Sequence, residues 1–215
     1  MKAPFALLGS ILALAPSLIA AQDRSVKDVV AAFEKAGIPE DLAIKFQPSS
    51  LLEVSFPQAA GRAITLKAGV QLPRNVTAGP PTYRLLTNKL IDRGPFVIAS
   101  VDPDAPTPQD PTVAQIRHGL AGNFYLSNFG SSRGGLKNKT SAITEWLQPN
   151  PPSYSDAHRY IFLIYRQPEG FNEQKLVTPE TTVRLFNISS FASAVGLGDP
   201  IAGTFMVVAP DPPAA

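Results

Sequence analysis

A chain of 215 residues with a formal charge of +2 and no cysteine is long enough to be held by one hydrophobic core, without disulfides. Cysteine nucleophiles and thiolate metal sites are excluded. The near-balanced charge, with no Lys/Arg cluster, gives no electrostatic basis for nucleic-acid binding.

Residues 1–21, "MKAPFALLGSILALAPSLIAA", carry one Lys and then a run of small and apolar residues. This pattern predicts a secretory signal peptide. It is too short for a membrane anchor, so the mature chain is expected to be exported, extracellular or vacuolar, with no integral membrane segment. The sequons at Asn75, Asn138 and Asn187 then become candidate glycan acceptors. Asn187 reads equally well as a helix cap.

Residues 22–39 form a helical segment. Val26, Val29, Val30 and Phe33 share one face, Ser25 can cap it, and Gly37 and Pro39 stop it. One domain over 40–209 follows. "LAIKF" (42–46), "LLEVSF" (51–56) and "AITL" (63–66) read as short strands. Residues 67–95 are dominated by turn signals. "PFVIASV" (95–101), "GLAGNFYLS" (119–127), "RYIFLIYRQ" (159–167) and "GTFMVVAP" (203–210) are the firm strands. "SSRGGLKNKT" (131–140) reads as a surface loop, "SAITEWLQP" (141–149) as a helical turn, "SSFASAVGLG" (189–198) as a short helix, and 210–215 as a frayed tail. Strands dominate and no regular βα alternation appears, which predicts a mainly β domain with peripheral helices.

The chain has two histidines. His118 precedes one firm strand and His158 another, while Asp102 closes a third. If these strand ends meet, they build a polar pocket on an apolar scaffold. An aspartate would fix a histidine tautomer and raise its pKa, leaving donors for a phosphate or carboxylate. Tyr160 could stand at the rim, with Pro106 and Pro152 as rigid walls. The plainer alternative is that each histidine is a structural hydrogen-bonder, and that "DPDAP" is a proline-stiffened connector. No H-x-x-x-H pair, G-x-S-x-G elbow or phosphate-binding glycine loop is present, so neither a metal, a cofactor nor catalysis is expected.

The run "DPDAP" at 102–106, Asp110-Pro111, His118, Pro151-Pro152 and "HRYIFLIYRQ" from His158 resembles the phosphatidylethanolamine-binding protein family, and the signal-like start with the N-terminal amphipathic segment resembles its secreted fungal members. The resemblance covers roughly 80–209. It implies a β-sandwich with peripheral helices and a small anion pocket formed by Asp102, Pro106, His118, Pro152, His158 and Tyr160. It also implies a cis peptide near the DPDAP turn. Phospholipid headgroups or similar anions are the implied ligands, bound by a monomer. The alternative is inhibition of a serine carboxypeptidase or another secreted or vacuolar protease, because relatives inhibit serine carboxypeptidases. The sequence departs from the family where Gly119 replaces an aromatic after the pocket histidine and where Arg117 replaces the first histidine of a pair.

Overall fold

The computed structural model describes residues 22–87, 93–127 and 133–212; the expected signal segment lies outside them. Among the described residues there are three α-helices: α1 (Val26–Lys35), α2 (Ile38–Asp41) and α3 (Ile188–Val195). Nine strands follow in chain order: β1 (Leu51–Phe56), β2 (Ile64–Thr65), β3 (Val70–Leu72), β4 (Thr82–Leu86), β5 (Phe96–Asp102), β6 (Ile116–Leu126), β7 (Arg133–Asn138), β8 (His158–Arg166) and β9 (Ala202–Val208).

All nine belong to one sheet in the order β2-β1-β4-β7-β6-β5-β8-β9-β3. Neighbouring strands pair antiparallel except β3 with β9. The sheet curls until its two flanks face each other. Ser49 and Ser50 N–H both donate to the Ile201 carbonyl beside β9, and Gly69 N–H donates to Phe205. The expected sandwich is therefore mostly β, as its layers require, and its two layers are the flanks of one continuous sheet.

Period-2 alternation sorts the side chains of the central strands into two cores. Phe96 and Ile98 of β5 point into the curl with Val54, Phe56, Phe162 and Met206. Val97, Ala99 and Val101 point outward, where the helices cover them. α1 is attached through Val29 and Phe33. The Phe33 ring stacks on Phe46 at 3.9 Å and meets Phe205 edge-on at 5.3 Å. The Ser25 hydroxyl accepts from Asp28 N–H and so caps this helix, as its sequence suggests.

Three local expectations fail. Residues 42–46 form no strand: Leu42 closes α2, Ala43 turns the chain at φ 50°, and Phe46 is used to pack α1. Residues 131–140 are no mere loop, since 133–138 form β7 between β4 and β6. Glycine makes this possible, because a Cβ at Gly134 would stand 2.6 Å from the Leu126 side chain. Residues 141–149 form no helical turn. They run beside β6, with Thr144 N–H donating to Leu120 and Leu147 N–H to His118.

α3 is the helix expected, and Asn187 is its cap, the side chain accepting from Ser190 N–H at 2.8 Å. Asn187→Ala should cost about 0.5–2 kcal/mol, read as a lower urea midpoint with an unchanged slope. In the tail, Arg74 binds Asp211 at 2.8 Å; residues 213–215 lie outside the described ones.

Candidate functional site

β5 ends in the acidic turn that opens "DPDAP", and the turn's two carboxylates address consecutive residues of β8. Asp102 Oδ2 accepts from His158 Nδ1 at 2.9 Å. Asp104 accepts from the backbone N–H, Nε and Nη2 of Arg159, and Arg159 reaches on to Asp41 at 2.7 Å. Asp102 Oδ1 accepts from Asp104 N–H at 2.7 Å, tightening the turn on itself. The Ala105–Pro106 peptide is cis, where the resemblance placed one, as is Gly94–Pro95 before β5.

His118 arrives by a different device. Ser100 pairs with Gly119 and the next residue, Val101, pairs with Arg117. His118 is thus the extra residue of a β-bulge, which re-aims side chains locally. Arg117 turns to the outer core, its guanidinium 5.2 Å from the centre of the Phe186 ring. His118 turns inward, edge-on to Tyr160 at 4.9 Å and 6.3 Å from Trp146. Its Nδ1 donates to the Leu147 carbonyl at 2.8 Å. Because a carbonyl only accepts, the neutral ring carries its proton on Nδ1. Nε2 is left facing Asp102 Oδ2 at 3.9 Å, too far for a hydrogen bond.

Asp102, His118 and His158 therefore meet in one cluster. It is nearly closed: their side chains are 3 %, 8 % and 2 % exposed. Tyr160 is fully buried beneath the cluster rather than at a rim, and burial pushes its phenol up, against a backbone hydrogen bond from Asn150 that acts the other way. Pro106 and Pro152 are half-buried.

The two rings titrate in opposite directions. Burial holds His118 below the ordinary imidazole value, although the Leu147 carbonyl and Asp102 pull the other way. The expected upward shift does not hold for this ring. Burial also opposes charging at His158, but there the hydrogen bond and charge of Asp102, with Asp104 and the Pro106 carbonyl in support, outweigh it and raise the pKa.

Several residues of the site escape sequence reasoning. The Ser155 hydroxyl binds His158 Nε2 at 2.9 Å, and nothing in "PPSYSDAH" singles it out. The Leu147 carbonyl is backbone and has no sequence signal. Trp146 has one, being the single tryptophan of the chain. Its ring stacks on Phe162 at 5.7 Å, and its indole N–H is held by the Thr77 carbonyl at 2.9 Å. Among the described residues no group of three His, Cys, Asp or Glu side chains, this cluster included, is placed to hold a metal ion.

The candidate acceptors Asn75, Asn138 and Asn187 are all exposed. No helix among the described residues is long and apolar enough to cross a membrane.

Comparison with known proteins agrees with this architecture. The carboxypeptidase Y inhibitor of Saccharomyces cerevisiae is 28% identical, over 66% of this chain and 75% of that protein. A 26 kDa secreted antigen of Toxocara canis is 26% identical, over 76% of this chain and 58% of the antigen. The crystal structure of carboxypeptidase Y inhibitor complexed with the cognate proteinase superposes with a TM-score of 0.72 at 25% identity, covering 86% of this chain and 96% of that one. The model of the phosphatidylethanolamine-binding protein family matches residues 58–206, which carry Asp102, His118 and His158 in the arrangement just described, and the chain belongs to that family.

Proposed function

We propose that this protein is a non-enzymatic binding protein that takes a phosphate or carboxylate group at the His118 edge of the Asp102–His118–His158 cluster. The observation that carries the reading is the unequal satisfaction of the two rings. His158 has both nitrogens engaged, by Asp102 and Ser155. His118 has Nδ1 engaged and Nε2 without a hydrogen bond, in the more exposed of the two side chains. An anion arriving there draws a proton onto Nε2 and gains a charge-assisted hydrogen bond. Asp102, 2.9 Å from His158 Nδ1 and 3.9 Å from His118 Nε2, orients His158 and favours protonated His118 rather than contacting the anion, because direct contact would be repulsive. Pro106, Pro152 and the buried Tyr160 fix the frame, and a phospholipid headgroup supplies the same chemistry as free phosphate.

Since the His118 pKa lies below the ordinary value of about 6.5, affinity should rise as the pH falls below that point and weaken above it. Calorimetric titration with inorganic phosphate and with acetate between pH 5 and 8 reads this directly. His118→Ala should remove about 1.5–3 kcal/mol, a loss of roughly ten- to a hundredfold, with the circular dichroism spectrum unchanged. Phosphate affinity that is equal in wild type and variant defeats the reading.

A second reading is inhibition of a serine carboxypeptidase. It is favoured by the similarity to the yeast carboxypeptidase Y inhibitor, which extends over most of both folds. It fits an exported, glycosylated protein of the secretory or vacuolar route, to which the signal-like residues 1–21 and the three sequons point. Purified protein titrated into a panel of serine carboxypeptidases should give sub-micromolar inhibition of at least one. Full peptidase activity throughout the panel, at micromolar protein, removes this second reading and leaves the first untouched.

A further inference from the structure

Next to the histidine cluster, and separate from it, the inner face of the sheet holds a cavity of about 570 Å³. That is within the roughly 300–1,000 Å³ of small-molecule sites. Small residues on neighbouring strands create the space. Ser100 of β5 and Gly119 and Ala121 of β6 form its floor, whereas Tyr83, Phe124 and Trp146 form apolar walls. The aromatic walls cannot collapse onto that floor. Trp146 is held by Phe162 and by the Thr77 carbonyl, and Tyr83 meets Phe124 edge-on at 5.7 Å.

The floor carries one unanswered polar group. Ser100 is 1 % exposed, and its hydroxyl has no hydrogen-bond partner among the described residues. A buried hydroxyl left without a partner is unfavourable and uncommon in native proteins. The lining charges offset one another: Arg84 pairs with Glu53, and exposed Lys137 shares the lining with exposed Glu145. Neither the floor nor the mouth is thus built for a charged ligand, in contrast to the histidine site.

We propose that this cavity is a second ligand site, which takes a small, uncharged, mostly apolar molecule whose one hydroxyl or carbonyl group pairs with Ser100. The apolar body lies between Trp146, Tyr83 and Phe124, and the polar group reaches the floor. Gly119 is the residue that leaves the floor open. Its φ is not positive, and a Cβ there would sit 3.7 Å from Ser100 Cβ, an ordinary contact. A larger side chain is therefore compatible with the backbone and would occupy the cavity.

The single tryptophan of the chain lines the site, so its fluorescence reports occupancy. The probes are 1-naphthol and naphthalene, which differ by one hydroxyl. In the full-length protein, 1-naphthol should quench Trp146 saturably and bind about three- to tenfold tighter than naphthalene. Ser100→Ala should erase that preference while keeping naphthalene affinity. Gly119→Leu and Ala121→Leu fill the floor from two positions and should each weaken both probes by about tenfold or more, at unchanged circular dichroism. Two filling variants guard against one of them failing to fold. Non-saturable quenching in the wild type, equal affinity for the two probes, or undiminished binding in both filled variants overturns the assignment.

Discussion

Asp102→Ala should lower stability by about 3–5 kcal/mol, the range for removing one partner of a buried charge pair. The carboxylate, 2 % exposed, is the acceptor for both His158 Nδ1 and Asp104 N–H. Its removal leaves two buried donors unanswered and frees the turn that positions Asp104 against Arg159. Asp102→Asn keeps the shape and one acceptor oxygen, so its cost should be nearer 1–3 kcal/mol. Urea unfolding across pH separates these effects. In the wild type, the raised pKa of His158 means that its contribution is fully present below about pH 6.5 and is lost as the pH rises through the folded value. His118, with a lowered pKa, does the opposite: its contribution is present above about pH 6.5 and lost as the pH falls. The two limbs give a stability maximum near the ordinary imidazole value. In Asp102→Ala the alkaline limb should flatten, because the carboxylate that holds His158 protonated is gone. A variant whose alkaline limb matched the wild type would show that Asp102 does not set the His158 titration.

Arg117→Ala is the second large loss, also about 3–5 kcal/mol, from a large side chain deleted in the core. Arg117 is 2 % exposed, and burial lowers its pKa. Its hydrogen bonds go to neutral oxygens: Nε to the Thr144 hydroxyl at 2.6 Å, and both Nη groups to the 181–182 segment. It ties the stretch beside β6 and the approach to α3 to the bulge that carries His118. Arg117→Met retains most of the volume without a buried charge, and a hydrophobic replacement for a buried ion is often tolerated. It should therefore recover at least about 1 kcal/mol relative to alanine. Hydrogen exchange in 181–186 should accelerate in both variants, since both lose the guanidinium bonds. Unchanged protection there would deny Arg117 its role as a tie.

Much of this architecture is legible in the sequence because its strongest signals are local. Strands β5, β8 and β9 are nearly continuous apolar runs, and burial on both faces of the sheet demands that pattern. Caps at Ser25 and Asn187 are chemical signatures of one residue each. The convergence of Asp102, His118 and His158 could be suspected from three strand ends, although only the sheet order brings them together. What escapes is whatever depends on distant partners. β7 is invisible because "RGGLKN" has turn-like composition, and its strand character comes from β4 and β6 on either side. Residues 42–46 have the composition of a strand, but Phe46 is consumed by Phe33. The bulge at His118 has no sequence signature, yet it decides which of the two cores Arg117 and His118 each face.

The order of the sheet also bears on how these molecules behave beside one another. Its two outermost strands, β2 and β3, are the shortest, of two and three residues, and Pro73 follows β3 immediately. The long apolar strands β5 and β8 are interior, each with a neighbour on both sides. A foreign strand that tried to extend the sheet would find only a few unpaired backbone groups at either margin. Natural β proteins protect themselves against edge-to-edge aggregation in this way. For a chain without disulfides, that protection comes from the length and placement of strands, and it should keep the folded protein dispersed even when concentrated.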